Sequence, residues 1–334
     1  MKSRPRSYAS SDQANILDAT ANHVDKILDH YADFGFSTDW GPADVSLLRW
    51  EEGRLKRQIG PGTVKTSTYW TGTAKAKRTV KTTRYWDSSA AGRAAESCLL
   101  MTSQSAQYLE ALRVLLRDRQ VIFAPVPLTR SIFEIAGYVA WLLDPNINSV
   151  RDRAARTTLA QISDATRAKA AATQLGHPNA SKLGGAVHKL RQVEVPALFY
   201  PSEIQAEHQG PACPTCGARR KTQFRLRDQH QPGLEESLTY ITTATRSSWN
   251  TGGMYAYLSN ASHPTPHVVY ESLHRDSNGL VTGFAHDDVT LPYRVTRMAI
   301  LSFLVCWRMC AGYRGLDQVL PLRLGLELDD LPSL

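Results

Sequence analysis

Cysteine is scarce in this chain of 334 residues, with only five in total. The count is odd, and Cys98, Cys306 and Cys310 fall in apolar stretches with the spacing of helices. Small secreted proteins that depend on disulfides carry many cysteines, usually in an even number. The pattern therefore excludes a disulfide framework. It indicates a reducing compartment, and we expect a cytoplasmic protein.

Long apolar segments are also missing. The N-terminal residues are basic, but no apolar core follows them, so the sequence predicts no secretory signal. The longest apolar run in the C-terminal part, residues 298–307, is too short to cross a bilayer and is flanked by Arg297 and Arg308. We therefore predict a buried core helix at this position and no membrane partner.

Acidic side chains are absent from residues 53–86, which contain nine Lys or Arg. The whole chain has 39 Lys and Arg against 31 Asp and Glu, which gives a net charge of +8. A basic protein attracts polyanions, although charge says nothing about its fold. The sequence therefore favours nucleic acid as the partner, with a homo-oligomer or a protein partner as the alternative.

Apolar residues recur at helical spacing through most of the chain, which predicts a mainly α fold built around a helical bundle. Helices are expected at residues 12–34, after Pro42, and at 89–119, 128–143, 149–175, 234–246, 249–262 and 291–311. Residues 176–232 are rich in Gly, Pro and His and predict an irregular insertion. The tail, residues 320–334, predicts a short strand or an extended arm.

Three parts are predicted along the chain. Residues 1–58 form an N-terminal helical segment, residues 59–87 a basic hairpin, and residues 88–334 the helical bundle, which contains the insertion 176–232 with a Cys pair.

A short internal repeat predicts the hairpin. TVKTSTYW at residues 63–70 recurs as TVKTTRYW at residues 79–86, with six of eight positions identical. Thr, Val, Tyr and Trp favour strands, so we predict two strands joined by residues 71–78. Alternation would place Val64 with Trp70 on a packed face and Lys65 with Tyr69 on an exposed one. Disorder is the alternative, because the segment is strongly charged.

Two basic clusters are candidates for contact with nucleic acid. Cations neutralise phosphates, and aromatic rings stack on unpaired bases. In the first cluster the cations are interleaved with Tyr69, Trp70, Tyr85 and Trp86, and the second lies beside the Cys pair. The cations are Lys65, Lys75, Lys77, Arg78, Lys81 and Arg84 in the first cluster, and Arg219, Arg220 and Lys221 in the second. The alternative is a solvated basic hairpin whose Trp residues pack on the core.

The segment CPTCG places Cys213 and Cys216 two residues apart, which is half of a tetrahedral zinc site. His208 and His230 complete the pattern H-x4-C-x2-C-x13-H, and a closed site of this kind predicts a structural zinc ion. The alternatives are a decayed knuckle or two unpaired thiols. A redox motif is disfavoured, because no βαβ pattern precedes the pair.

Four polar residues are candidates for catalysis. Arg130 and Glu134 lie four apart and share a helix face, so they can pair. Ser259 and His263 are also four apart, and His263 is at a helix end before a proline. The imidazole suits a general base, and the guanidinium suits stabilisation of a phosphate anion. The alternative is that all four residues are structural.

These residues form part of a wider pattern. It consists of R-x3-E-x6-WLLDP from Arg130 to Pro145, the Arg-rich VRDRAAR, and Y-x-x-L-S-x-x-x-H from Tyr255 to His263. The pattern resembles a loosely defined group of bacterial helical proteins and is similar to HEPN-like helical domains of toxin, abortive-infection and RNA-processing systems. The resemblance covers residues 90–311 apart from the insertion, and it implies a HEPN-like bundle and action on RNA.

One departure from the HEPN pattern bears on activity. Catalytic HEPN domains carry R-x4-6-H on one helix, whereas the positions that should hold the Arg before His263 are Ala256, Tyr257 and Leu258. Arg225 and His230 fit this spacing, but they lie in the insertion. The resemblance thus implies either an RNA-targeting toxin or phage-defence component, or a non-catalytic interaction or scaffold protein. A metal-dependent hydrolase centred on His263, His267 and Glu271 is a third hypothesis.

Overall fold

The computed structural model describes most of the chain between residues 11 and 313. The described residues are 11–33, 66–71, 74–79, 88–118, 124–147, 149–205, 209–212, 219–221, 224–245, 250–262, 273–275, 277–284 and 290–313. The helix predicted after Pro42 and the C-terminal tail lie outside these ranges.

The described part is mainly helical, as predicted. Its α-helices are α1 (Ser11–Asp33), α2 (Ser88–Asp118), α3 (Pro125–Leu142), α4 (Val150–Gln174), α5 (Ala180–Lys189), α6 (Val195–Leu198), α7 (Leu234–Thr245), α8 (Thr251–Ser262) and α9 (Thr290–Tyr313). Most begin and end within two residues of the predicted bounds. Helix α3 begins three residues earlier, because a proline is favourable at a first helical position that needs no N–H donor.

The chain divides into two compact units. Unit 1 consists of Met1–Thr38, Ser97–Asp144 and Leu234–Leu334, and unit 2 consists of Asp39–Glu96 and Pro145–Gly233. The three parts expected from the sequence, 1–58, 59–87 and 88–334, stay a prediction.

Unit 1 is built around α3, which packs against α7, α8 and α9, while α1 packs against α9. The contact between α3 and α7 is close at Gly137, where a Cβ atom would lie 3.0 Å from Leu238 Cδ2 and 3.1 Å from the backbone of Ser237. In the core, the Tyr31 ring meets Phe303 and Trp307 edge to face at centroid distances of 5.2 and 5.6 Å. These rings belong to an apolar cluster of unit 1 to which α1, α2, α3 and α9 all contribute.

Helix α9 is long and apolar enough, by length and composition, to cross a membrane. However, 67% of its apolar window is buried inside the protein. Its buried residues include Phe303 and Trp307, which belong to the core of unit 1. This burial agrees with the prediction of a core helix at residues 298–307.

Unit 2 is built around α4, which packs against α5. A π-helical turn (Leu190–Glu194), α6 and a 3-10 turn (Pro201–Glu203) follow α5. Strand β6 (Arg225–Leu226) pairs antiparallel with both β3 (Ile204–Gln205) and β7 (Gln229–His230), and β6 and β7 contact α4. Strands β4 (Gln209–Ala212) and β5 (Arg219–Lys221) form a separate antiparallel pair.

The expectation of an irregular insertion over residues 176–232 was wrong for residues 180–198, which are helical. Gly184 and Gly185 suggested a loop. However, Leu183, Val187 and Leu190 follow one another at helical spacing and are partly buried, so one face of α5 gains apolar contacts. Tertiary packing outweighs the low helix propensity of glycine here.

The basic hairpin is present in unit 2, but its predicted strands were partly wrong. Strand β1 (Thr66–Thr71) pairs with β2 (Ala74–Thr79), so the second strand is the segment expected as the connection. Only two residues separate β1 and β2, the first of them Gly72. Closing so short a hairpin costs less chain entropy than closing one with an eight-residue connection. The second copy of the repeat, beyond Thr79, lies outside the described residues.

Unit 1 also contains an antiparallel pair that the sequence did not suggest. Strand β8 (Leu273–Arg275) pairs with β9 (Val281–Phe284), with a register shift between His274 and Arg275.

Candidate functional site

Arg130 of α3 is the centre of a polar cluster in unit 1. Its Nε donates to Glu134 Oε1 at 2.8 Å, as their spacing on the helix predicted. Its Nη1 donates to Ser262 Oγ at 3.0 Å and its Nη2 to Tyr255 Oη at 2.8 Å. The guanidinium carbon is also 5.2 Å from the centre of the Tyr255 ring. Arg130 therefore ties the side of α3 to α8.

The electrostatics of this cluster favour the charged arginine. The hydrogen bond to the Glu134 carboxylate raises the pKa of Arg130, and partial burial opposes that shift. The side chain of Arg130 is 24% exposed and that of Glu134 is 35% exposed. A guanidinium has five N–H donors, and the three bonds use three of them.

The predicted catalytic residues are placed as follows. Arg130 and Glu134 are paired, and Ser259 takes part through its backbone carbonyl, which accepts a hydrogen bond from Ser262 Oγ at 3.0 Å. His263 follows Ser262 directly but lies outside the described residues. The candidate metal-hydrolase residues, His267 and Glu271, lie outside them as well.

Tyr255 was noted only as part of a pattern, and Ser262 was missed. Both contact Arg130, and together with Ser259 they share one face of α8, because they are spaced four and three residues apart. That spacing was the signal in the sequence. The candidate chosen from this part of the sequence was instead His263, the next residue along the chain, because an imidazole suits a general base.

The predicted nucleic-acid contacts are described in part. The register of the hairpin places Lys75 opposite Trp70, Lys77 opposite Thr68 and Arg78 opposite Ser67. Arg219, Arg220 and Lys221 form β5. Lys65, Lys81 and Arg84 lie outside the described residues.

Of the four predicted zinc ligands, only His230 is described. It lies in β7 opposite Arg225 and is partly buried. His208, Cys213 and Cys216 lie outside the described residues, and the described ones alone contain no group of three His, Cys, Asp or Glu arranged to hold a metal. Strands β4 and β5 lie on either side of the Cys pair in the sequence, and their antiparallel pairing places Ala212 opposite Arg219.

An ionic network around the buried Arg151 in unit 2 was not predicted from the sequence. Glu203 accepts hydrogen bonds from Arg151 Nη2 at 2.6 Å and from Arg227 Nη1 at 2.7 Å, and Arg227 Nε donates to Asp152 at 2.7 Å. Arg151 is only 4% exposed and stacks on Tyr200 at 5.2 Å. No local spacing links Glu203 to α4, because 51 residues separate it from Asp152.

The backbone at the turn between β6 and β7 serves this network. Arg227 and Asp228 both have a positive φ, of 52° and 63°, a backbone conformation that residues other than glycine rarely adopt. A tight hairpin turn requires this conformation at two successive residues. This backbone conformation places the Arg227 side chain within hydrogen-bonding distance of both Glu203 and Asp152. Those hydrogen bonds offset the conformational strain of the turn.

Comparisons with protein-family models, with curated proteins and with solved structures found no match. The functional interpretation therefore depends on the residues and geometry of this chain.

Charge is distributed unevenly between the two units. Unit 2 has 24 Lys and Arg against 12 Asp and Glu, a net charge of +12, whereas unit 1 has 15 against 19, a net charge of −4. The excess of +8 in the whole chain thus comes entirely from unit 2. This unit also contains the basic hairpin and β5.

Proposed function

We propose that the protein binds nucleic acid through unit 2. The concentration of positive charge in that unit is the observation that carries the proposal. A unit with twice as many cations as carboxylates attracts a phosphate backbone and releases its counterions on binding. The acidic balance of unit 1 directs a polyanion towards unit 2.

The hairpin β1–β2 is the proposed contact for single-stranded RNA. The register pairs an aromatic residue, Trp70, with a cation, Lys75, and a second cation, Lys77, lies two residues further along β2. Cations along a strand follow the backbone of the nucleic acid, and an aromatic residue among them gives a base a ring to stack on. Such a surface binds single strands with little sequence preference.

More specifically, we propose that the protein is an RNA-targeting toxin or phage-defence component of HEPN-like type. In that form Arg130 and His263 would act on a phosphate of the bound RNA. The three bonds that hold Arg130 favour the alternative, in which the cluster joins helices and the protein is a non-catalytic scaffold on nucleic acid.

A zinc ion is proposed as the structural cofactor of the insertion, with His208, Cys213, Cys216 and His230 as ligands. The pairing of β4 with β5 supports this proposal, because it places Ala212, which precedes Cys213, opposite Arg219, three residues after Cys216. Elemental analysis of protein purified without chelators tests it, and absence of zinc would contradict it.

A salt titration of binding to single-stranded RNA tests the main proposal. The double variant Lys75→Gln/Lys77→Gln should bind more weakly. The slope of log affinity against log salt should become shallower by about 1.4, because each phosphate contact on a single strand contributes about 0.7. The matched control is Lys26→Gln/Arg308→Gln, which removes two exposed cations from unit 1.

Two results would contradict the proposal. One is an affinity of the unaltered protein that does not change with salt, since that removes the electrostatic basis. The other is an equal loss of affinity in the two double variants, which would show that total charge matters and its location in unit 2 does not.

A further inference from the structure

An open groove of about 620 Å³ lies between α8 and α9 in unit 1. Its walls include Met254 and Tyr257 from α8, and Arg294, Arg297, Met298 and Leu301 from α9. The volume is within the range of small-molecule sites, about 300–1,000 Å³.

The two arginines of the groove lie on the same helix. Arg294 and Arg297 are three residues apart and therefore neighbours on the surface of α9, and both are exposed. Within the part of the chain that the structure describes, no carboxylate pairs with either of them. Unit 1 has a net charge of −4, so two adjacent cations beside a groove are a local exception to its charge.

The rest of the lining is apolar and aromatic. Met254, Met298 and Leu301 are partly buried, and Tyr257 is 42% exposed. An exposed tyrosine gives a ligand a flat surface, and methionine side chains adapt to its shape. The groove is open to solvent, and an aromatic ligand can stack on the Tyr257 ring, which a flexible acyl chain cannot do.

We propose that this groove binds an organic anion with a planar aromatic body about the size of a mononucleotide. The acidic group meets Arg294 and Arg297, whose guanidinium groups hydrogen-bond carboxylates and phosphates in pairs of parallel bonds. The ring lies against Tyr257 and the methionines. The groove and the basic hairpin belong to different units, so failure of one proposal leaves the other standing.

Isothermal titration of the full chain with adenosine 5′-monophosphate tests the proposal. We expect binding, with adenosine and decanoate both weaker, because the first lacks the anion and the second lacks the ring. Arg294→Gln and Arg297→Gln should each weaken binding about tenfold, since each removes charge-assisted hydrogen bonds. Tyr257→Ala should weaken it too. The control is Arg308→Gln, an exposed position of the same helix outside the groove.

Four outcomes would overturn the proposal. The first is no binding of the nucleotide, and the second is an equal effect of Arg308→Gln and Arg297→Gln. The third is preferential binding of decanoate, which would assign the groove to an acyl chain. Loss of nucleotide binding in the Lys75→Gln/Lys77→Gln variant, with normal binding in the Arg294→Gln variant, would place the nucleotide in unit 2.

Discussion

Glu203 shows how one carboxylate can determine the stability of a local structure. It neutralises Arg151, which is nearly inaccessible to water, and Arg227, which is held in a strained turn. Its Oε2 also accepts the backbone N–H of Tyr200 at 2.9 Å. A buried cation without its carboxylate is costly, so much of unit 2 depends on this residue.

Replacing Glu203 with Gln should lower the free energy of unfolding by about 3 kcal/mol, because the amide removes the negative charge that Arg151 and Arg227 share, and Arg151 is nearly inaccessible to water. Glu194→Gln is the matched control in the same unit. Its partners, Arg93 and Lys189, are more exposed, so the expected loss is below about 1 kcal/mol. Urea unfolding of both variants measures the difference, and similar losses would refute the prediction.

Cys306 makes the stability of unit 1 sensitive to alkaline pH. Burial raises the pKa of its thiol, and the nearby Cys310 raises it further. The thiol of the unfolded chain ionises near pH 8.5. The stabilisation is therefore fully present below that pH and is lost as pH rises, because only the unfolded state releases the proton.

We expect unit 1 to lose about 2 kcal/mol of stability between pH 8 and pH 10 from this thiol alone. Urea unfolding at the two pH values measures the loss. Cys306→Ala should make the pH dependence shallower, because the variant has no thiol to ionise. Val305→Ala leaves a cavity on the same helix but keeps the thiol, so it should retain the full pH dependence. A slope unchanged by Cys306→Ala would be the contrary result.

Between elements, α3 and α7 are in close contact at Gly137. Gly137→Ala should destabilise unit 1 by about 1–2 kcal/mol. The new methyl group meets Leu238 and the backbone of Ser237, and overpacking outweighs the better helix propensity of alanine. Gly185→Ala in α5 has no atom within 4 Å of its new Cβ and should stabilise unit 2 by up to about 1 kcal/mol. Thermal unfolding measures the change in stability of each variant. A change of the same sign in both variants would contradict the prediction.

The helices were predictable because their signal is local. The apolar spacing of α1 and α4, and the proline that begins α3, lie within each segment. Helix α5 and strand β2 were missed for the opposite reason. Their composition disfavours the observed state, and contacts with α4 and β1 decide it.

The candidate site was predictable only within one helix turn. The pair of Arg130 with Glu134 follows from their spacing, whereas Ser262 and Tyr255 lie more than 120 residues away from Arg130. Glu203 is equally distant from any local pattern. A sequence read in short windows cannot predict which remote segments meet, and those meetings complete both clusters.

For the whole molecule, the separation of charge between the units predicts where RNA makes contact. Hydrogen exchange with bound single-stranded RNA should show protection in unit 2, including residues 66–79, and little change in α9 of unit 1. Repeating the measurement in 1 M salt is the control, because screening should abolish the protection. Protection confined to unit 1 would argue against the charge-based assignment.

The packing of α1 against α9 also determines when the core of unit 1 can be completed during synthesis. Helix α1 ends at Asp33, and α9 begins at Thr290, more than 250 residues later. A ribosome adds about 5–20 residues per second. About 13–50 s therefore pass between the synthesis of α1 and the synthesis of Phe303 and Trp307. These two residues cover the apolar face of α1, which includes Val24, Ile27 and Tyr31. During that interval the apolar face of α1 is not covered by α9, and we expect chaperones to bind the nascent chain.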